Sequence, residues 1–444
     1  MTQMRSGSRS GLIQALDVSL TELDPALLGR GLEVPAANAS DATGGTSVLE
    51  VTGWALGRSA AVVSVDLVQD GRRLWQGAPE IERPDIAATH DGAPAGGACG
   101  FRASIGALAL DLEFELRVRA AFEDKSRVEI GRIRGRRDPL RTSFEPHLKP
   151  LMVTTLGRTG SSALIRVLDA HPEIVAYRPF QYEPRVGTYW IGVLKALSEP
   201  ASYRRQLEPA GRLDADWWLG REGRVPGRVA DDELERWLGL EGVEGLAAFC
   251  QNRIDALYRQ IAGSAGKHRA VYFAEKFRPD PAASLMRELY PEGRELFVAR
   301  DFRDMASSML AFNEKRGMEG FRRDRAASDV DFIEKNVKNS AGALADAWRR
   351  RSADAHLVRY EDFVQRPKEA VQGVLAYLEL DAGDTTVNAM LKSAAEPFSA
   401  AESHKTAESA ESSIGRWRHD LSPELQRACD DVLGSALETF GYRP

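Results

Sequence analysis

The stretch KPLMVTTLGRTGSSALIRVLDA, residues 149–170, contains the pattern that decides the fold of this chain. Residues 149–156 form an apolar run of the kind that becomes a buried strand, and the apolar residues between Ser161 and Ala170 recur at helical spacing. Gly157 and Gly160 lie between the two segments, where they permit a tight turn. A strand, a glycine turn and a helix in this order predict an α/β domain.

The chain continues this alternation of strands and helices to its end. We predict strands at Arg294–Ala299 and Leu357–Tyr360, each followed by a helix, at Asp304–Asn313 and Pro367–Leu378. Residues 187–265 have a mostly helical pattern and are rich in tryptophan. The alternation places residues 139–444 in one α/β domain.

The region before residue 139 has a different pattern. Residues 1–45 are rich in Ser, Gly, Ala and Thr, so we expect a flexible leader. Residues 46–138 contain short alternating strands, including one that ends at the hairpin signal Asp70-Gly71. Short strands without a long helical period predict a small all-β sandwich.

Composition narrows the classes of function. The 444 residues carry 59 Lys and Arg against 65 Asp and Glu, a net charge of −6, so a general nucleic-acid-binding role is not expected. The 3 cysteines, Cys99, Cys250 and Cys429, form no CxxC pair, which favours a reducing, cytoplasmic location. We find no signal-peptide pattern, no run long enough for a membrane span, and no HExxH or CxxC metal motif.

The glycine turn has the character of a phosphate-binding loop. Backbone N–H groups at the start of a helix, aided by the helix dipole, favour a phosphate, and Thr159, Ser161 and Ser162 add hydroxyl donors. Arg158 adds a fixed positive charge. The alternative is an ordinary glycine turn in which Ser and Thr cap the helix. The spacing excludes a Walker A loop, because only two residues separate the glycines.

A second basic segment follows the strand that we predict at residues 294–299. Arg300 is placed at the carboxyl end of this strand, where α/β folds bind ligands, and Ser308 follows in the next helix. The two side chains can hold one phosphate together if the turn folds back. The alternative is an ion pair between Arg300 and Asp304 that closes the turn.

The two motifs together resemble the sulfotransferase family that uses 3′-phosphoadenosine 5′-phosphosulfate (PAPS). The chain has GRTGSS at residues 157–162 and RDFRDMASS at residues 300–308, in the family's order and at about its spacing. The resemblance extends from about residue 145 to 444 through four further segments: DAHPEI at 169–174, YFAEKFRP at 272–279, VRYEDF at 358–363 and SSIGRWR at 412–418. It is greater to bacterial and Golgi-type glycan sulfotransferases than to the type that acts on phenols and steroids.

The resemblance implies a P-loop-like sulfotransferase fold, with a central parallel sheet flanked by helices. It implies that the first loop binds the 5′-phosphosulfate, that Arg300 and Ser308 bind the 3′-phosphate, and that the GRW loop closes over the nucleotide. The PAPS-binding residues that we infer are Gly157, Arg158, Thr159, Gly160, Ser161, Ser162, Arg300, Ser308, Ser413, Ile414, Gly415, Arg416 and Trp417. No metal is implied.

Four residues are candidates for the chemistry of transfer. Arg158 is placed to neutralise charge on the bridging oxygen, and Lys276 is implied by the family's EKxP lysine to assist on the sulfuryl oxygens. Glu183 is a candidate general base, although it can also pair with Arg185 at the surface. The family's base position is occupied here by Arg178-Pro179. The rival base is His171, whose structural alternative is to stop and cap a helix.

We therefore expect a bacterial sulfotransferase that acts on a hydroxyl of a carbohydrate or glycoconjugate. One alternative is a nucleotide-dependent kinase. The other is a catalytically weak nucleotide- or glycan-binding protein on the same fold. The β domain could bind glycan, serve packing or make a homodimer. His404, Lys405 and Thr406 are candidates to line the pocket, and so are three tryptophans that could stack on sugars: Trp190, Trp217 and Trp218.

Overall fold

A computed structural model describes residues 12–34, 48–90, 98–198, 240–395 and 406–443. The chain divides into two compact units. The first contains Met1–Ser143 and Gly192–Cys250, and the second contains Phe144–Ile191 and Gln251–Pro444. The domain boundary that we predict at residues 138 and 139 is close to the first break and stays a prediction. Among the described residues, no helix is both long and apolar enough to cross a membrane.

The first unit contains two antiparallel sheets. One has the strand order β1-β9-β8-β4-β5 and the other has the order β2-β3-β7-β6. A short helix, α1 (Pro84–Ala87), follows β6. The strands are β1 (Ile13–Leu20), β2 (Leu27–Val34), β3 (Val48–Gly57), β4 (Val62–Gln69), β5 (Arg72–Gly77), β6 (Ile81–Glu82), β7 (Ala98–Gly106), β8 (Glu113–Phe122) and β9 (Arg127–Arg137).

Alternation of apolar and polar residues directs one face of these strands inward. In β8, Phe114, Leu116 and Val118 are buried, while the arginine between the last two is exposed. Trp75 of β5 contacts Phe101 of β7 in the other sheet, with ring centroids 6.4 Å apart. The prediction of an all-β N-terminal part is confirmed.

The hairpin between β4 and β5 forms where the sequence predicts it. Asp70 has a φ of 48° and Gly71 a φ of 76°. Two successive residues in the left-handed region are what a type I′ turn requires, and this turn matches the twist of paired strands.

The prediction of a flexible leader over residues 1–45 is wrong for two segments. β1 pairs with β9, from Ile13 opposite Arg137 to Leu20 opposite Gly131, and β2 pairs with β3. Val18, Leu27 and Leu32 are buried in these strands. A few apolar residues suffice because the partner strands satisfy the backbone hydrogen bonds. Residues 1–11 and 35–45 of the predicted leader lie outside the described residues.

The second unit contains a sheet of parallel strands in the order β11-β12-β10-β13-β14. This sheet, flanked by helices, confirms the predicted fold class. Its strands are β10 (Lys149–Thr155), β11 (Ile174–Ala176), β12 (Tyr272–Phe277), β13 (Arg294–Ala299) and β14 (His356–Arg359). The other helices are α2 (Ser161–Leu168), α3 (Val186–Ser198), α4 (Gly242–Ser264), α5 (Pro281–Leu289), α6 (Phe302–Arg316), α7 (Asp329–Asp331), α8 (Lys338–Arg351), α9 (Tyr360–Gln365), α10 (Pro367–Tyr377), α11 (Asp384–Ala395), α12 (Trp417–Asp420) and α13 (Pro423–Thr439).

β13 shows why helices cover both faces of the parallel sheet. Phe297 and Ala299 belong to an apolar cluster that includes residues of α6, α8 and α13. Leu296 and Val298 belong to a second cluster that includes residues of α2, α10 and α11. Successive residues of a strand point to opposite faces, so the apolar run 296–299 must be covered on both sides.

β10 and β13 are neighbours, and this pairing positions the candidate site. Their register runs from Leu151 opposite Arg294 to Thr155 opposite Val298. The loop before α2 and the turn before α6 therefore leave the same edge of the sheet side by side. Ligand sites of α/β folds lie at this edge, the carboxyl end of the strands.

Candidate active site

The loop between β10 and α2 has no room for side chains at its two glycines. A Cβ atom on Gly157 would lie 2.8 Å from the ring of Phe321, and one on Gly160 would lie 2.4 Å from the ring of Tyr360. Gly160 also has a φ of 82°, in the left-handed region. Thr159 is buried, and its Oγ1 lies 2.5 Å from Oγ1 of Thr155. The rings of Phe321 and Tyr360 thus pack closely against the two glycines of the loop.

Arg158 turns from this loop towards α6. Its Nε donates to Oγ of Ser308 over 3.0 Å, and its Nη2 donates to Oγ1 of Thr406 over 3.1 Å. Burial, together with the nearby guanidinium groups of Arg300 and Arg416, lowers the pKa of Arg158 to about 10. Three guanidinium groups therefore lie near one another at this loop, and one of them, Arg416, is also paired with Asp420.

Arg300 is only 4% exposed, and its hydrogen bonds go to backbone carbonyl groups. Nη1 donates to O of Arg158 over 3.1 Å and Nη2 to O of Ser413 over 2.5 Å, while the guanidinium lies over the ring of Tyr360 at 4.6 Å. Nε is buried without a hydrogen-bond partner among the described residues. Both hydrogen-bond partners are neutral, and the charge of Arg300 acts on the nearby carboxylate of Asp304, whose pKa it lowers. An orphaned buried donor calls for a ligand or water.

Asp304 does not take the role that the ion-pair alternative gives it. Its Oδ2 accepts from N of Gly415 over 2.7 Å, and its Oδ1 accepts from N of Trp417 over 3.0 Å. Burial raises the pKa of Asp304, and these two backbone donors oppose that rise. The carboxylate therefore anchors the GRW segment to α6.

The GRW segment brings a third arginine to the same place. Nη1 of Arg416 donates to Oγ1 of Thr406 over 3.0 Å, and its Nε donates to Asp420. Ser413 is buried, and its Oγ lies 2.9 Å from the hydroxyl of Tyr360. Ile414 follows Ser413 and is half-buried. The predicted PAPS-binding residues from three separate segments thus lie together in the fold.

We name Arg158, Arg300 and Arg416 the nucleotide-side cluster. These three guanidiniums, the hydroxyls of Ser308 and Thr406, and a glycine loop with no room for side chains make a site that fits a polyanion. The unpartnered Nε of Arg300 is the clearest sign of the fit. A ligand that carries several phosphate oxygens has the charge for such a site.

Lys276 and Glu183 come together beside the same loop. Nζ of Lys276 donates to Oγ of Ser162 over 2.7 Å and also contacts the carboxylate of Glu183. The Lys276 side chain is 4% exposed and that of Glu183 is 47% exposed. Burial lowers the pKa of Lys276, and Glu183 opposes this. Lys276 thus joins the first turn of α2 to a carboxylate open to solvent. Sequence reasoning named Lys276 and Glu183 separately and missed that they form a pair.

A left-handed turn delivers Glu183 to this position. Phe180, Gln181 and Tyr182 have φ values of 49°, 57° and 63°. Asp169 holds the turn, because its Oδ2 accepts from Nε of Arg178 over 2.7 Å and from the hydroxyl of Tyr182 over 3.4 Å. Strained backbone of this kind concentrates at functional sites, where the surrounding structure enforces it.

The buried carboxylate of Glu275 was missed by sequence reasoning. It accepts from N of Gly187, with oxygen distances of 3.0 and 2.9 Å, and from the hydroxyl of Tyr258 over 2.8 Å. Burial raises the pKa of Glu275 to about 7, and these donors oppose the rise. The only sequence signal was an acidic residue inside an apolar strand. Glu275 thus holds the first turn of α3 at Gly187, four residues after Glu183.

His171 lies in the turn after α2 and is 1% exposed. Its Nδ1 accepts from N of Glu173 over 3.1 Å, and burial lowers its pKa. These contacts favour the structural alternative over a role as base. Trp190 is half-buried, and its ring meets that of Tyr189 at a centroid distance of 5.5 Å. Other candidates lie outside the described residues: Trp217, Trp218, His404 and Lys405.

The fold and the loop define an α/β protein with a candidate anion site at the carboxyl end of its parallel strands. The model of the sulfotransferase family matches residues 150–384, more than half of the chain. The chain therefore belongs to the sulfotransferase family, and its general activity is sulfuryl transfer.

Three solved structures are similar to parts of the chain. A sulfotransferase domain from the curacin biosynthetic pathway is 13% identical, with 65% of this chain and 98% of that domain covered and a TM-score of 0.36. A mouse sulfotransferase complexed with PAP is 10% identical, with 67% and 87% covered and a TM-score of 0.37. A sulfotransferase from Mycobacterium avium is 14% identical, with 67% and 78% covered and a TM-score of 0.34. No curated protein matches the chain.

Proposed function

We propose that the protein transfers a sulfuryl group from PAPS to a hydroxyl group of a carbohydrate or glycoconjugate. The observation that carries the proposal is the nucleotide-side cluster, in which Arg300 is buried against backbone carbonyls with one donor unpartnered. A bound anion would stabilise such a cluster, because like charges that are partly buried side by side are costly. PAPS supplies both the phosphate groups for this cluster and the activated sulfuryl group.

The residues of the loop and of α6 divide the work of binding. Arg158 and Ser308 already share a hydrogen bond, and Arg300 lies at the end of the neighbouring strand. In the proposal, Arg300 and Ser308 hold the phosphate remote from the reaction. Arg158 and the N–H groups at the start of α2 stabilise the charge that develops on the leaving oxygen.

Lys276 and Glu183 are proposed to act at the point of transfer. Lys276 is held by Ser162 of α2, so its ammonium group can bind the sulfuryl oxygens. Glu183 is open to solvent and in contact with Lys276, so it is placed to accept the proton of an incoming hydroxyl. This arrangement gives each group one task and needs no metal ion among them.

Titration calorimetry with adenosine 3′,5′-bisphosphate, AMP and ATP tests the choice of donor. We expect micromolar binding that requires the 3′-phosphate. The variant Arg300→Ala should weaken this binding. The matched control is Arg427→Ala, which replaces an exposed arginine on α13 and should leave the binding unchanged. Equal binding of ATP, or no binding of the bisphosphate, would reject PAPS and restore the kinase and binding-protein alternatives.

Turnover assays with labelled PAPS and a panel of glycans test the acceptor. Glu183→Gln should abolish most of the turnover and leave bisphosphate binding intact.

A cytoplasmic location and a homodimer stay predictions. The buried, free thiols of Cys99, Cys250 and Cys429 support the reducing compartment.

A further inference from the structure

A second group of arginines lies on the side of the site where Lys276 and Glu183 meet. Arg278 follows β12 two residues after Lys276, and Arg185 lies two residues after Glu183. The contact between Lys276 and Glu183 therefore brings the segments that carry these two arginines together. Gly187 donates to Glu275 over 3.0 Å, which fixes the same two segments a second time.

Arg322 reaches this group from the loop after α6. The preceding residue, Phe321, packs its ring against Gly157, where a Cβ atom would be 2.8 Å away, and against Phe312. Phe321 and Arg322 both have left-handed backbone, with φ values of 59° and 65°. The chain thus turns sharply just where it passes the phosphate loop.

We name Arg185, Arg278 and Arg322 the acceptor-side cluster. None of the three guanidiniums has a hydrogen bond or an ion pair with any residue that the structure describes. Partial burial lowers the pKa of Arg278, and the charges of Arg185 and Arg322 lower it further. Two acids, Asp280 and Glu183, act on Arg278 in the opposite direction. Asp280 caps α5 by accepting from N of Ala282, and Glu183 is in contact with Lys276.

The two clusters are separate sets of charges. The charges of Arg300 and Arg416 lower the pKa of Arg158, whereas the charges of Arg185 and Arg322 lower the pKa of Arg278. Arg278 and Arg322 are exposed and Arg185 is half-buried, whereas Arg300 is buried. The exposed arginines near Glu183, the candidate base, therefore do not belong to the nucleotide-side cluster.

We propose that the acceptor-side cluster binds an anionic group on the acceptor, so that the substrate is a sugar that already carries a carboxylate, sulfate or phosphate near the hydroxyl to be sulfated. Three guanidinium groups without internal partners suit oxyanions, which they can bind through paired hydrogen bonds. This inference rests on the proposed function, because the bound sugar is an acceptor only if the protein transfers a sulfuryl group to it. The binding of an anionic sugar can be measured without the donor.

Three matched pairs of sugars test the inference by titration calorimetry. They are p-nitrophenyl β-D-glucuronide and its glucoside, galactose 6-sulfate and galactose, and glucose 6-phosphate and glucose. We expect the charged member of at least one pair to bind about tenfold more tightly or better. The preference should shrink between 20 and 200 mM salt, because exposed charges are screened.

Variants then assign the preference to the cluster. Arg278→Gln and Arg322→Gln should each remove most of it, whereas Arg427→Gln, which makes the same charge change on α13, should keep it. The affinity for adenosine 3′,5′-bisphosphate should stay within about twofold in all three variants.

The outcomes are distinct. Equal affinity within every pair, including no binding of either member, overturns the inference. Loss of bisphosphate affinity in Arg278→Gln or Arg322→Gln also overturns it, because the cluster would then belong to the donor. A charged-sugar preference in a protein that fails to bind the bisphosphate would reject the proposed donor and leave the anion subsite standing.

Discussion

Replacing Glu275 by Gln should change how the stability of the protein depends on pH. Burial raises the pKa of this carboxyl group from 4.5 to about 7. Below about pH 4.5 the group is protonated in both the folded and the unfolded state. As the pH rises from 4.5 towards 7, only the folded state keeps the proton, so the free energy of unfolding falls. Above about 7 the fall stops.

The size of the effect follows from the same two values. The interval from 4.5 to about 7, at about 1.36 kcal/mol for each pH unit, corresponds to about 3 kcal/mol. Glutamine is uncharged and can keep both kinds of contact, because its oxygen can accept from N of Gly187 and its amide can donate to the hydroxyl of Tyr258. The variant should therefore gain stability relative to the native protein as the pH rises.

Urea unfolding at pH 5, 6, 7 and 8 measures this difference. We expect the free energy of unfolding of Glu275→Gln, minus that of the native protein, to rise by about 2–3 kcal/mol across the series. Glu424→Gln, an exposed residue of α13, is the matched control and should show no trend. Parallel pH profiles for the native protein and Glu275→Gln would refute the reasoning, since the carboxyl group would then be ionised in the folded state.

Three further substitutions test the site. Arg300→Ala should weaken bisphosphate binding by about 10–100-fold, whereas Arg158→Ala should lower kcat more than affinity; equal effects on both quantities would contradict the division of roles. Asp304→Asn can accept only one of the two backbone hydrogen bonds from the GRW segment, so bisphosphate affinity should fall about tenfold, and unchanged hydrogen exchange in residues 413–417 would contradict this. Gly160→Ala should lower the free energy of unfolding by at least about 1–3 kcal/mol, measured by urea unfolding, because its Cβ atom would meet Tyr360 and its φ is left-handed; a neutral result would show that the loop adapts.

Features with local causes could be predicted from the sequence. The strand, turn and helix at residues 149–168 and the hairpin at Asp70-Gly71 arise from neighbouring residues, and the structure has both. The parallel sheet followed from the alternation of strands and helices. Each of these signals lies within a short window of sequence.

Features that depend on distant partners were missed. β1 is a strand because β9 lies beside it, more than a hundred residues later in the chain, and its own sequence signal is weak. The buried carboxyl group of Glu275 is stabilised by hydrogen bonds that Gly187 and Tyr258 donate, and both donors lie far from it in the sequence. Propensity and periodicity do not contain this information.

The candidate site was predicted as a set of residues but not as a geometry. Motif order located Arg158, Arg300 and Ser308. It predicts that Arg300 and Ser308 bind one phosphate together, which stays a prediction. It did not reveal that Arg158 donates to Ser308 or that Arg300 donates to the backbone of Arg158. The acceptor-side cluster could not be foreseen, because its members come from three segments and belong to no motif.

The nucleotide-side cluster makes folding and anion binding one linked equilibrium. Like charges that repel one another in the folded state are far apart in the unfolded chain, so an anion that bridges them stabilises the folded state selectively. At a hundredfold excess over its dissociation constant, a single bound ligand adds about 2.7 kcal/mol to the free energy of unfolding. The melting temperature of the protein should therefore depend on the buffer, and a thermal-shift screen of anions would rank ligands before any acceptor is known.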